Sequence, residues 1–320
     1  MMYDLDSRLV IGISSSALFN LTDCHRVYQE QGIEAYRAYQ DERINEPLDP
    51  GVAFPFIRRL LALNDLQPDD PLVEVIVMSH NDAFTGLRIM ASARAHGLPI
   101  TRAIFMEGRS PHEYIGPLKM ALFLSANEDD VRRAVASGMP AAIVTSQHMD
   151  DDVRETELRI AFDFDGVLAD DSSEAIFKDH GLAEFQAHEQ ANAITPLSVG
   201  PLQPLLEAIN RIQEVETTRK TADPDYRPRL HVSLVTARSA PAHERVVRSL
   251  HGWGVRVNAA FFLGGIDKAA ILETLRPHIF FDDQMLHMTA HGIPGAHVPF
   301  GVRNGAQPVP RRMSTDDRIA

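Results

Sequence analysis

Cysteine is almost absent from this chain: Cys24 stands alone among 320 residues, so no intrachain disulfide can form and a reducing, cytoplasmic compartment is expected. Next to a helix start, its simplest reading is an inert small side chain. Positive charge is also short. The 31 Lys and Arg against 44 Asp and Glu leave a formal net charge of −13, which argues against nucleic-acid polymers as partners because they are bound through clustered cations. No apolar run approaches the length of a membrane span, and the charged start MMYDLDSRL has no signal-peptide core, so no membrane partner is expected. An anionic small molecule remains compatible with the composition, provided that local cations or a metal overcome the global field. At this length the chain can bury one large or two ordinary cores.

What is present is an aspartate-rich decapeptide, AFDFDGVLAD, from Ala161 to Asp170. β-forming residues deliver Asp163 and Asp165 to the end of a strand, and Gly166 lets the backbone turn there. Two carboxylates one residue apart suit Mg²⁺, which takes few protein carboxylates and shares its remaining coordination with water and phosphate oxygens. Alone, the pair reads more readily as a solvated turn after a strand. Three downstream segments add weight to the metal reading. HVSLVTARS (231–239) is a strand pattern running into Thr236; FFLGGIDKAAIL (261–272) is a strand and a Gly-Gly turn, with Lys268 where a helix begins; HIFFDDQM (278–285) is a strand ending in Asp282 and Asp283. Each piece is weak by itself. Together they place carboxylates, a hydroxyl and an ammonium at the carboxyl edge of one parallel sheet, where α/β folds build their sites.

This set resembles the haloacid dehalogenase superfamily, and within it IAFDFDGVLADDSSEAIFKDHGL, LVTARSA, RPHIFFDDQMLHM and AHVPFGV look like the cytosolic type I 5'-nucleotidases. EQGIEAY and FLSANEDDV extend the likeness into the first half, so that it runs from about Val10 to Arg303. The resemblance implies a phosphohydrolase with Asp163 as nucleophile and Asp165 as the acid that protonates the leaving oxygen and then activates water. Dehalogenase-type members lack an acid at the second place, which favours a phosphatase here. It also implies Mg²⁺ as cofactor, held by Asp163, the backbone carbonyl of Asp165 and Asp282, with Asp283 orienting a metal-bound water. Thr236, Lys268 and the backbone N–H groups near Gly166 and Ala237 are implied as phosphate holders. The substrate it implies is a nucleoside monophosphate, with AMP-like purines foremost; another phosphomonoester, such as a sugar phosphate, or a binding protein without turnover are the alternatives. Phe177, Lys178 and His180 fall in the small-cap position that reads the leaving group, although Phe177 and His180 also suit ordinary helix packing. Arg238 either touches phosphate or pairs with a neighbouring acid.

An internal repeat organises the chain. Ser14 falls on Asp163 and Ser16 on Asp165 at an offset of 149 (163 minus 14), which also carries Gly32 onto Gly181, Pro47 onto Pro196 and Gly51 onto Gly200. After an insertion near 214–227 the offset becomes 157 (236 minus 79) and pairs Ser79 with Thr236, Arg88 with Arg245, Gly97 with Gly254 and Ser125 with Asp282. The expected architecture is therefore α/β, with two tandem Rossmann-like units of the haloacid-dehalogenase type, each a parallel sheet flanked by helices. The first, 1–150, is degenerate, having Ser14, Ser16, Pro111 and Ser125 where the second has Asp163, Asp165, Lys268 and Asp282. The second, 151–320, is catalytic, with a small helical cap segment at about 171–201.

Strands are expected near 8–14, 73–79, 102–106, 120–125, 158–163, 230–236, 259–263 and 278–282. The stretch 217–229 reads as a surface loop, the acidic run in 145–157 as a solvated linker, and the segment past Val302 as coil, either loose or packed. A homo-oligomer is compatible with the chain, and nothing in the sequence selects an oligomeric state.

Overall fold

The computed structural model describes residues 3–145, 149, 151–288 and 290–304. The first half contributes β1 (Leu9–Ser14), α1 (Ser15–Leu18), α2 (Thr22–Glu42), α3 (Phe54–Ala62), β2 (Val73–Ser79), α4 (Ala83–Ala95), β3 (Arg102–Phe105), β4 (Leu122–Ser125), α5 (Glu128–Ala136) and β5 (Ala141–Val144). The second contributes β6 (Leu158–Phe162), α6 (Ser172–Ala191), α7 (Gln203–Ala222), β7 (Leu230–Thr236), α8 (His243–Gly252), β8 (Ala259–Phe262), α9 (Lys268–Leu275), β9 (Ile279–Asp282) and β10 (Gly295–His297). Among the described residues no helix is long and apolar enough to cross a membrane.

The separate sheets expected of tandem units are joined as one. Its ten strands run in the order β3-β2-β1-β4-β5-β10-β9-β6-β7-β8, all neighbours parallel except β5 and β10, where Ile143 lies opposite His297. Outward from that junction the halves read 5-4-1-2-3 and 10-9-6-7-8, the same succession twice. Strands covered on both faces must be apolar throughout, which is why LVIGIS and VEVIVMS are buried at every residue. α2 and α6 are both broken at a glycine in the left-handed region, Gly32 (φ 84°) and Gly181 (φ 81°).

A single apolar core passes through the junction, with Ile13, Leu60 and Leu124 of the first half in one cluster with Phe162, Leu206 and Phe281 of the second. Each such side chain is worth about 1.5–3 kcal/mol on burial, so the halves are mutually dependent. The acidic run after β5 is not merely solvated. Asp151 receives Arg58 Nη2 at 2.9 Å and the buried Arg59, and Arg59 also reaches Glu155 at 3.4 Å.

One further expectation needs correction. Residues 217–222 belong to α7, not to a loop: Thr217, Thr218 and Thr221 satisfy their hydroxyls on carbonyls one turn back, and the buried Glu216 accepts from Tyr226 Oη at 2.6 Å and Arg229 N at 2.7 Å. The insertion between the repeats thus lengthens a helix; α3, its counterpart, spans 9 residues against 20 in α7. Past Val302 the chain is held at least as far as Asn304, whose amide donates to Asp283 O at 2.8 Å; residues 305–320 lie outside the described part.

Candidate active site

β6 ends at Phe162, and Asp163 N donates to Phe281 O at 2.8 Å, so the β6–β9 pairing carries Asp163 to the sheet's carboxyl edge beside Asp282, the last residue of β9. The chain then turns tightly, Val167, Leu168 and Ala169 all donating to Phe164 O. Gly166 makes that turn at φ 71°, and a Cβ there would stand 2.9 Å from the Asp283 carboxyl carbon. Both conformation and space therefore demand glycine.

Lys268 opens α9 and is 3% exposed, which excludes a solvated charge. An ammonium in the first turn of a helix opposes the macrodipole and, when buried, needs counter-charge. It has two: Nζ lies 2.8 Å from Asp163 Oδ2 and 2.7 Å from Asp282 Oδ2. His287 Nδ1 lies 3.0 and 3.1 Å from the Asp282 oxygens. Burial works to raise the Asp282 carboxyl, but Lys268 and the His287 contact hold it below the usual range. Burial pushes Asp163 up to about 6 against the pull of Lys268, which leaves it ionised at neutral pH. Asp283 is pushed up to about 9 by burial and by the charges of Asp163 and Asp282, and its Oδ1 is buried with no hydrogen-bond partner among the described residues.

Asp165 is held elsewhere. Arg238 Nε and Nη2 form a bidentate pair with its two oxygens at 2.7 and 2.6 Å, and Nη1 of the same guanidinium meets Glu189. Of the two readings of Arg238, pairing with an acid is the one observed. Thr236 ends β7 with its Oγ1 accepting from Arg238 N at 3.2 Å, and Ala237 beside it is exposed. The cap candidates are not drawn into the carboxylate cluster. Lys178 Nζ donates to Val302 O at 3.1 Å, His180 is exposed, and Phe177 packs edge-on against Phe185 with centroids 6.0 Å apart.

Among the described residues, Asp163, Asp282 and His287 bring potential ligand atoms within 4.8 Å of one another. Two carboxylates meet here, Asp163 and Asp282, with the Lys268 ammonium between them, and Asp283 is near enough to feel the charge of both. The partnerless, strongly raised Asp283 marks a place where a further positive charge would be stabilised, and the oxygen-rich donor set suits a hard divalent cation. His287 already faces Asp282, the arrangement of a group that orients a ligating carboxylate.

The 5'-nucleotidase family model matches residues 1–305. This chain belongs to that family. Among curated relatives, the human protein named Cytosolic 5'-nucleotidase 1B is 36% identical over 288 residues, covering 88% of this chain and 46% of the relative. The chain therefore spans about half the length of that relative. No solved structure matches it.

Two members of this candidate site escape a strand-by-strand reading of the sequence. His287 follows β9 in a short 3₁₀ turn, and only that turn aims it back at Asp282. Glu189 is fully buried near the end of α6, where it collects Arg238, Arg245 at 2.7 Å and Ser173 Oγ at 2.8 Å. The repeat held a signal for it, since the 149 offset sets Glu189 on Gln40 just as the 157 offset sets Arg245 on Arg88.

Proposed function

We propose that this chain hydrolyses nucleoside 5'-monophosphates, AMP-like purines foremost, to nucleoside and phosphate. The observation that carries the reading is the buried Asp163–Lys268–Asp282 cluster at the sheet's carboxyl edge in a chain of the 5'-nucleotidase family. Asp163 attacks phosphorus as the bond to the 5'-oxygen breaks, giving an aspartyl-phosphate. Asp165, once it leaves Arg238 and takes up a proton from solvent, gives that proton to the departing oxygen and then takes one from the water that cleaves the acyl phosphate. Lys268, the Thr236 hydroxyl and the N–H groups near Gly166 and Ala237 hold the phosphoryl oxygens. Mg²⁺, when bound by Asp163, Asp282 and the Asp165 carbonyl with Asp283 beyond them, would supply charge neutralisation for the phosphoryl group.

The domain reading accompanies this. Residues 1–150 are a degenerate unit of the haloacid-dehalogenase type, 151–320 the catalytic one, and about 171–201 its cap, which includes the kinked α6. The reading also carries a cytoplasmic location. Phosphate release from a panel of nucleotides and sugar phosphates, with Mg²⁺ and with EDTA, tests the function. AMP-like nucleotides are expected to lead the panel, with activity lost on chelation. Full activity in EDTA, or a sugar phosphate as the best substrate, would overturn it.

A further inference from the structure

The first half lacks the charges of the second but keeps a site-shaped space. A cavity of about 1070 Å³ opens among Ser14, Ser79 and Ser125, the last residues of β1, β2 and β4, away from the carboxylate cluster. This is the carboxyl edge at the point where strand order reverses, the place where open α/β sheets bind ligands. Its volume is ample for a small organic molecule.

Two features of its wall define what would fit. One is shared with the catalytic half: Tyr28 and Tyr36 line the cavity as an edge-on aromatic pair with centroids 5.9 Å apart at 80°. The 149 offset places them on Phe177 and Phe185, which pack at 6.0 Å and 83°. The other feature is what has gone. Pro111 stands for Lys268, and Asn81 stands for Arg238 (238 minus 81 is 157). The remaining cations are already engaged: Arg37 Nε lies 2.8 Å from Asp82, and His80 Nε2 lies 2.7 Å from Asp130, leaving the exposed His25 at the rim. Asp82, Glu107 and Asp130 also line the space, so a dianionic phosphate would meet net negative charge. In contrast, hydroxyls are plentiful, and Asn81 Nδ2 is buried with no hydrogen-bond partner among the described residues while its Oδ1 accepts from Tyr36 Oη at 3.1 Å. An unpaired buried amide costs about 1–3 kcal/mol unless a ligand oxygen or ring nitrogen accepts from it.

We infer that this cavity binds an uncharged nucleoside: an aromatic base against the tyrosine pair and ribose hydroxyls among the serines and Asn81, without a phosphate. The choice of a nucleoside rests on the functional reading above, because the aromatic pair is repeated from the half assigned to nucleotide hydrolysis. The first half is then a second site that takes the class of molecule the catalytic half releases.

The test uses the full chain with adenosine, AMP and inorganic phosphate as probes. Cys24 is the only cysteine, is buried and lines the cavity, so its alkylation rate reports on this site and not on the carboxylate cluster. Adenosine is expected to slow that alkylation several-fold, phosphate to leave it unchanged, and AMP to act more weakly than adenosine. Ala126→Trp, at an exposed lining position, and Tyr28→Ala, at a ring that is 49% exposed, should each weaken adenosine's protection at least tenfold. Protection by phosphate, protection by AMP stronger than by adenosine, or protection by adenosine that survives both substitutions would overturn the inference. Phosphate release from AMP on the same preparations separates the two claims. Hydrolysis without cavity protection removes only the second site, and protection without hydrolysis removes only the assigned reaction.

Discussion

The two halves share their joinery and differ in their charges. In the first, Leu48 N donates to Ser92 Oγ at 2.9 Å and His96 Nε2 pairs with Leu48 O at 2.7 Å; in the second, Leu197 N donates to Ser249 Oγ at 2.9 Å and Trp253 Nε1 to Leu197 O at 3.1 Å. Gly51 and Gly200 both leave no room for a Cβ beside the backbone of the segment that follows the first strand of their half. Arg88 donates to Glu46 O and Gln40 Oε1 where Arg245 donates to Thr195 O and Glu189 Oε1. The difference sits in that last pair: a neutral amide serves one arginine, whereas a carboxylate serves two. Packing contacts persist whichever chemistry the edge performs, because backbone groups must be satisfied in either half. Buried charges persist only as a set, since each is tolerable only beside its partner.

The largest effect comes from separating the halves. A chain beginning near Glu155 would expose the β10 edge and the apolar faces that meet at the junction, so it is expected to be insoluble or far less stable than the whole. A soluble 155–320 fragment with the full-length rate and substrate ranking would refute this dependence.

Next are the carboxylates that distinguish the second half. Asp163→Asn should lower turnover roughly 10³-fold or more, and Asp165→Asn by about 10²–10⁴, both with an unchanged circular dichroism spectrum. Near-normal phosphate release by either purified variant would sink the assignment of roles.

Making the second half resemble the first sharpens the comparison further. Glu189→Gln should cost about 3 kcal/mol or more, because Arg238 and Arg245 lose their shared buried counter-charge. Denaturant unfolding reads this directly, and an unaltered midpoint would mean that the glutamine suffices there as it does at Gln40.

Asp283 offers a test by pH. With its carboxyl at about 9 when folded and an ordinary value when unfolded, folding takes up a proton, so the metal-free protein loses stability as pH rises from about 4 to about 9. Asp283→Asn removes that slope, stabilising the metal-free protein at pH 7 by an amount that grows by about 1.4 kcal/mol per pH unit at most. The metal concentration needed for activity should rise in the same variant. Parallel stability–pH curves for the two proteins would contradict the buried, cation-seeking role.

The smallest effects belong to the serines. Ser14→Ala should cost about 1 kcal/mol, since Ser14 Oγ caps α1 by accepting from Ala17 N, and Ser125→Ala a similar amount through Asn127 N. Both variants should keep wild-type kcat and KM for AMP; a change in kcat would give the first half a part in the chemistry.

Eight of the ten strands were legible because a strand buried on both faces is a run of apolar residues that ends where the site begins. The repeat was legible too, through its glycines and prolines, and with it the positions of Asp163, Thr236, Lys268 and Asp282. β5 and β10 were not. AAIV and GAH are short and small, and they become strands only by pairing with their neighbours β4 and β9 and with each other, the last across more than a hundred residues of chain. That junction turned two expected sheets into one.

The amino-acid sequence by itself determined the α/β class, the duplication and the strand ends that bear the chemistry, because periodicity and turn residues act locally. Only the tertiary structure decided which charges meet. Arg238 finds Asp165 from 73 residues away and Glu189 from 49, and Lys268 joins Asp163 to Asp282 from opposite ends of the second half. The cavity of the first half was decided in the same way, since a space exists only after every wall around it has packed.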